Sequence, residues 1–217
     1  METKDLAAVI RGRRSIRLWE DRPIEEAMLL QAIELATYAP NGGNQQNWRF
    51  YLIENRGIIN SIADAVQTGA DYVAALPEAK PFGEMFININ QRAAFFRHAP
   101  CLIAVAAGQY QSPFDQVLEA REKIDTKAGQ MRQWRNVADS RIQSVSAAIA
   151  YLLLVLHQMG LGAVWMTGPL QAKGEIEAIL KVRPGMDVIA LIPVGYPGEH
   201  PLLKERHPLG EVCEIIR

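Results

Sequence analysis

Residues Ala147 to Leu156 form a run of ten apolar residues inside a longer helical stretch, Arg141 to Met159. A bilayer span needs about 20 such residues, so this helix must find its cover within protein. Being apolar nearly all round, it reads as the buried central helix of a layered core, ended by Gly160 and Gly162. A second run, Cys101 to Ala107, is short, continuous and made of small side chains, as in a strand covered on both faces. A chain that buries both segments is globular. With 49% apolar and 22% charged residues among 217, it has the composition to build that core.

The same balance excludes several classes of function. A net charge of -1 and a pI near 6.4 argue against a general nucleic-acid or membrane-surface binder. Cys101 and Cys213 lie far apart in no metal-like spacing and are expected to stay reduced. The start, Met-Glu-Thr-Lys-Asp, lacks the basic-then-apolar pattern of a signal peptide. A cytoplasmic, single-domain protein spanning 1–217 is expected.

Taken in order, residues 3 to 11 read as a short helix. Asp21 and Pro23 are expected to open a second, with Leu29, Ala32, Ile33 and Ala36 on its buried face. Pro40 ends it, and Arg49 to Ile53 is strand-like. Residues 57 to 80 read as a short helix and a loop, and 84 to 97 as one helix stopped by His98-Ala99-Pro100. Residues 110 to 140 are charged and helix-forming, a peripheral excursion read either as a lid or as a solvated helix pair. Ala163 to Met166 and Asp187 to Val194 are strands, with a short helix near 173 to 181 between them. An extension rich in Pro and Gly runs from about 195 to 217. Interleaved helices and few strands point to an α+β or α/β layer fold.

Three segments carry polar chemistry. Arg13, Arg14 and Arg17 within five residues, with Ser15, form either an anion site or a solvated basic patch. Guanidinium forks grip phosphate oxygens, each charge-assisted bond contributing roughly 1.5–3 kcal/mol. Lys204 and Arg206 point the same way if extended. The stretch Ala39 to Trp48 is uncharged, with two glycines, four amides and one indole. It is either an ordinary turn or a cradle for a neutral planar ligand. Gly160-Leu161-Gly162 follows a helix rather than opening one, so it is no dinucleotide fingerprint. The histidines show no metal spacing, and His157 reads as a core residue. No acid–base pair stands out, so any reaction is expected to depend on a cofactor.

Together these segments resemble the FMN-dependent nitroreductase family. The resemblance rests on Arg13-Arg14-Ser15-Ile16-Arg17, Ala39-Pro40-Asn41-Gly42-Gly43-Asn44-x-Gln46-x-Trp48, Gly160-Leu161-Gly162-x-x-Trp165-Met166-Thr167-Gly168 and Lys204-x-Arg206, in that order. It implies an α+β fold, a mostly antiparallel sheet flanked by helices, in an intertwined homodimer with FMN at the subunit interface. Arg13, Arg14 and Ser15 would hold the phosphate and ribityl chain, with Lys204 and Arg206 closing the cage. Arg17 would lie by the pyrimidine edge, where a fixed cation stabilises negative charge on the reduced ring. Pro40, Asn41 and Gly42, with Asn44 and Gln46 behind, would come from the other subunit, and Thr167 and Gly168 would sit by flavin N5. Asn88, Asn90, Arg92 and Arg97 are further candidates for cofactor contact.

The implied activity is ping-pong hydride transfer from NADH or NADPH through N5 to a nitroaromatic, quinone or related acceptor. Reductive dehalogenation and a non-catalytic FMN-binding or regulatory role are the alternatives. The chain departs from the family pattern at Asn41, where serine is frequent, and at Asn47, where proline is common before the tryptophan. Ala150-Tyr151 stands in place of a frequent Gln-Asn pair.

Overall fold

The computed structural model describes residues 3–110 and 112–217. Met1, Glu2 and Gln111, the last inside the expected excursion, lie outside the described residues. In chain order the elements are α1 (Thr3–Gly12), α2 (Glu26–Ala36), β1 (Trp48–Ile53), α3 (Arg56–Ala75), α4 (Gly83–Gln91) and β2 (Cys101–Gly108). Then come α5 (Pro113–Arg121), α6 (Thr126–Ala138), α7 (Ser140–Gln158), β3 (Gly162–Ala163), α8 (Lys173–Leu180), β4 (Met186–Gly195) and α9 (Leu209–Val212).

Among the described residues the four strands form one antiparallel sheet in the order β1-β2-β4-β3. Its registers pair Phe50 with Val105 and Ile103 with Ile192. Side chains alternate across a strand, and β2 uses both faces. Cys101, Ile103, Val105 and Ala107 join one buried cluster with α2 and α7, while Leu102, Ala104 and Ala106 join a second with α3 and α8. The result is three layers, helices on both faces of the sheet: an α+β architecture. At the start of β2, Cys101 is a free thiol that burial pushes up to about 12, with the negative charge of Glu54 adding to the effect. Cys213 is free and exposed.

The helix α7 buries Val145, Ile149, Leu152 and Leu156 completely. Its opposite side is open in the single chain, for Ala150 and Tyr151 are exposed. It is therefore a core helix on one face only, not all round. Joined end to end with α6 it has the length and composition of a membrane span, and its buried core-facing residues explain that composition.

Three helix boundaries differ from the sequence pattern. The helix α2 starts at Glu26, so Asp21 and Pro23 lie in an extended lead-in and do not cap it. That lead-in is held elsewhere: Trp19 pairs with Pro197, and the Arg22 guanidinium lies 3.7 Å from the Tyr196 ring centre. The helix α3 runs 20 residues rather than stopping short. Ile59, Ile62, Ala63, Val66 and Ala70 form its buried stripe, and that packing overrides the weak helix propensity of Val66, Thr68 and Gly69. Gly69 lets the next segment approach: a Cβ there would sit 3.1 Å from Gln171 Cγ. The stretch expected as one helix over 84–97 breaks after Gln91 and resumes as a 3-10 turn, Phe95–His98. The aromatics explain the break. Phe96 is fully buried while Phe95 stacks on Trp19 at 6.2 Å and 6°. Neighbouring residues of one α-helix point about 100° apart, so an unbroken helix would not seat both rings as they sit here.

The excursion is a helix pair, α5 and α6, clasped by Asp115. Its carboxylate meets Arg135 Nε at 2.6 Å and Arg132 Nη1 at 3.4 Å. Hydrogen bonding from Arg135, with the charge of both arginines, holds the Asp115 carboxyl below its ordinary value.

Candidate functional site

The arginine motif leaves α1 and runs extended along the edge of β3. Ser15 bridges Ala163 in parallel, and the Ile16 N–H donates to the Ala163 carbonyl at 3.1 Å. Alternation along an extended segment then sorts the motif into two faces. Arg17 opens onto a cavity of about 410 Å³ with Thr167 and Gly168, whereas Arg13, whose N–H still donates to the Val9 carbonyl at 3.0 Å, stands near enough to His157 for its charge to act on that ring. Arg14 and Ile16 line a different, smaller cavity of about 290 Å³ beside His157 and His200. The Arg14 Nη1 group donates to the carbonyls of Arg11 and Arg13, both at 2.6 Å. In this geometry Arg14 closes the end of α1 and turns the chain.

The first cavity has apolar walls from α3, α4 and the strand-like segment Val164–Met166. Thr167 and Gly168 are exposed on its rim, just after Met166 exchanges backbone hydrogen bonds with Leu191 at 3.0 Å. Trp165 lines the same cavity and keeps a buried indole N–H with no acceptor. A buried donor left unpaired costs about 1–3 kcal/mol. The site therefore suits a planar ligand that carries hydrogen-bond acceptors, which fits a flavin ring. Arg17 adds a cation whose only side-chain hydrogen bond among the described residues is a 3.4 Å contact to the Ser15 carbonyl.

Of the four further candidates, Asn90 and Arg92 line this cavity, and Asn88 and Arg92 line an adjoining one of about 1000 Å³. Asn90 is tied to Asp71 at 3.0 Å. Arg97 is drawn away by an ion pair with Asp64 at 2.9 Å and lines neither cavity.

The amide loop lies elsewhere. Gly42 N–H donates to Ser144 Oγ at 3.2 Å, in the first turns of α7. A Cβ on Gly42 would fall 2.6 Å from the Tyr110 ring, so glycine is needed for that contact. Asn41 braces the loop from inside, accepting from the Gln46 N–H at 2.9 Å and donating to the Ala39 carbonyl at 3.3 Å. Gly43, Asn44 and Gln46 all take left-handed backbone angles. For Asn44 and Gln46 that costs of order 1 kcal/mol each. Pro40, Asn44 and Gln46 are exposed.

The helix α7 measures the separation. Ser144 holds the loop near its first turns, while His157 in its last turn packs against Gly12. Thirteen residues of helix span roughly 20 Å. One chain thus keeps the arginine motif and the amide loop at opposite ends of its central helix. Lys204 and Arg206 do not close a cage within the chain either: both are exposed and make no side-chain hydrogen bond or ion pair among the described residues. His157 is part-buried. That burial, with the charges of Arg13 and Arg14, lowers its pKa from the ordinary 6.5.

Two residues that shape the site carried no motif. Glu199 holds the backbone of Arg17 and Leu18 from the far end of the chain. Its only sequence signal was an acid standing among the prolines and glycines of the extension. Phe95 gained its role from the helix break, which periodicity does not reveal.

Comparison with known proteins agrees with the architecture. A Methanothermobacter thermautotrophicus protein, provisionally named NADH dehydrogenase/NAD(P)H nitroreductase, is 27% identical over 91% of this chain and 80% of its own length. A BluB-like flavoprotein from Clostridium difficile superposes with a TM-score of 0.84 at 24% identity over 100% of both chains. An oxidized iodotyrosine deiodinase bound to FMN and 3-iodo-L-tyrosine superposes with a TM-score of 0.70 at 21% identity, over 98% of this chain and 97% of that one. The sequence model of the nitroreductase family matches residues 10–196, most of the chain, and the protein is a member of that family.

Proposed function

We propose that the protein is an FMN-dependent NAD(P)H oxidoreductase of the cytoplasm, acting as a homodimer with each flavin held between two copies. The observation that carries this reading is the convergence of Arg17, Thr167 and Gly168, about 150 residues apart in sequence, on one apolar cavity with a buried, unpaired Trp165 N–H. Arg13 and Ser15 would hold the phosphate, and Arg17, exposed at the cavity, would face the ring edge as a cation. Thr167 and Gly168 would meet the ring from the rim.

The separation along α7 supports a second copy as the source of the loop Pro40, Asn41, Gly42, Asn44 and Gln46. So do two apolar surfaces that one chain leaves open. Tyr151 on α7 is 43% exposed, and on the extension Leu202 and Ile216 are 88% and 90% exposed. Burial of such surface contributes about 25 cal/mol per Å², which makes association favourable. Lys204 and Arg206 would reach the phosphate once the extension is docked.

Bound FMN would supply the redox chemistry, taking electrons from NADH or NADPH and delivering them to a nitroaromatic, quinone or related acceptor. The chain would supply orientation, charge and exclusion of water from the apolar walls. The fold shared with a deiodinase supports reductive dehalogenation as a second reading.

The test is direct. The protein is purified, any yellow cofactor is identified by mass, and NADH and NADPH are added anaerobically. Bleaching with either donor, followed by reoxidation with nitrobenzene or menadione, supports the reading. FMN without bleaching indicates a binding protein. Reoxidation by 3-iodotyrosine with iodide release supports the second reading.

A further inference from the structure

We infer that Arg92 selects acceptors that are aromatic and carry an acidic group such as a carboxylate. This rests on the oxidoreductase reading above and names the substrate class of the same site. The break after Gln91 makes Arg92 the residue that caps α4, with φ -104° and ψ 6°. The chain turns there, bringing Arg92 and Phe95 onto the wall shared by the two adjoining cavities. Arg17 and Ile89 complete that wall.

The charge balance of the wall is one-sided. Arg92 makes no side-chain hydrogen bond or ion pair among the described residues. Arg97, five positions on, is paired with Asp64. Among the described residues the only carboxylate lining either cavity is Glu199, and one of its oxygens already accepts from the backbone N–H groups of Arg17 and Leu18. Asp71, behind Asn90, is engaged by Asn90 at 3.0 Å and by Gln67 at 2.9 Å. If Arg17 serves the flavin edge, Arg92 is the cation left to face what enters the larger cavity. A guanidinium fork matches a carboxylate in two parallel hydrogen bonds.

The rest of that cavity suits an aromatic body. Leu18, Met85, Ile89 and Phe95 line it, and Phe95 is held in place by its stacking on Trp19. An uncharged aromatic would fill the apolar surface and leave Arg92 unpaired. An acidic one would satisfy both.

The holoenzyme, wild type and Arg92→Gln, is assayed with 4-nitrobenzoate and with nitrobenzene. The binding of benzoate and of benzyl alcohol is measured separately, by isothermal titration calorimetry without turnover. The expected result is that the ratio of KM for 4-nitrobenzoate to KM for nitrobenzene rises about tenfold in Arg92→Gln, with FMN content retained. Benzoate affinity should fall in parallel, and Arg92→Lys should recover part of it. Equal effects on both substrates, no effect, or loss of FMN from Arg92→Gln would overturn the inference, the last because it makes Arg92 a cofactor ligand. Failure of the oxidoreductase reading looks different. The wild type would then reduce neither nitro compound, and the benzoate titration would still decide what Arg92 binds.

Discussion

The backbone N–H of Arg17 donates to the carboxylate of Glu199, 182 residues further along the chain, and Leu18 N–H donates to the same oxygen at 3.1 Å. A single side chain thus pins the start of the C-terminal extension to the end of the arginine motif. It fixes the Arg17 backbone while leaving the guanidinium to face the cavity. Two charge-assisted bonds contribute roughly 1.5–3 kcal/mol each. Glu199→Ala is expected to fold but to hold its cofactor loosely, with the FMN dissociation constant rising about tenfold or more. Fluorescence titration with FMN measures it, and an unchanged constant would show that the clasp does not organise the site.

Arg13 and Arg14 differ in what already engages them, and that makes separable predictions. Arg13→Ala should cost most of the preference for FMN over riboflavin, because its guanidinium makes no hydrogen bond or ion pair among the described residues and is available to a phosphate. Arg14→Ala should keep that preference and instead lower thermal stability, since its guanidinium closes the last turn of α1 on the carbonyls of Arg11 and Arg13. Losing those bonds is expected to cost about 1–3 kcal/mol. Parallel FMN and riboflavin titrations, with thermal melts, separate the two roles.

His157 offers a pH readout of phosphate binding. Its folded pKa lies below the ordinary 6.5 through burial and through the charges of Arg13 and Arg14. The unfolded chain therefore binds the proton more readily, so stability falls as pH drops below about 6.5 toward the folded value. A phosphate dianion beside Arg13 would offset the positive field and raise the His157 pKa. An NMR titration of the ring, with and without FMN, should show the rise. The same pKa in both states would place the phosphate elsewhere.

Much of this fold was legible from local pattern, and the exceptions share a cause. The strand β2 was readable because burial on both sides of a sheet leaves few polar residues to mask the signal, whereas the apolar run of α7 revealed the helix but not that one side of it stays open in the single chain. The four motifs were readable because each holds residue types that a plain turn or helix does not need. What escaped was decided by distant partners. Trp19 and Phe96 set the break after α4, packing against Gln171 and its neighbours let α3 run past Gly69, and Glu199 is joined to the motif only through the fold. The site shows the same division: Arg17, Thr167 and Gly168 meet in one cavity, whereas the amide loop sits at the other end of α7.

That separation is the basis of the account, and mixing two defective chains tests it most directly. Arg13→Glu removes the phosphate grip and Gly42→Leu spoils the loop, so each homodimer is expected to bind little FMN. Circular dichroism verifies that both fold. After the two are unfolded together and refolded, mixed dimers contain one site with both faults and one with neither. About a quarter of the wild-type FMN sites should return, as random pairing of a two-fold dimer requires. No recovery from well-folded mixed dimers would mean that Arg13 and Gly42 serve the same flavin from the same chain, contradicting a site shared between two copies.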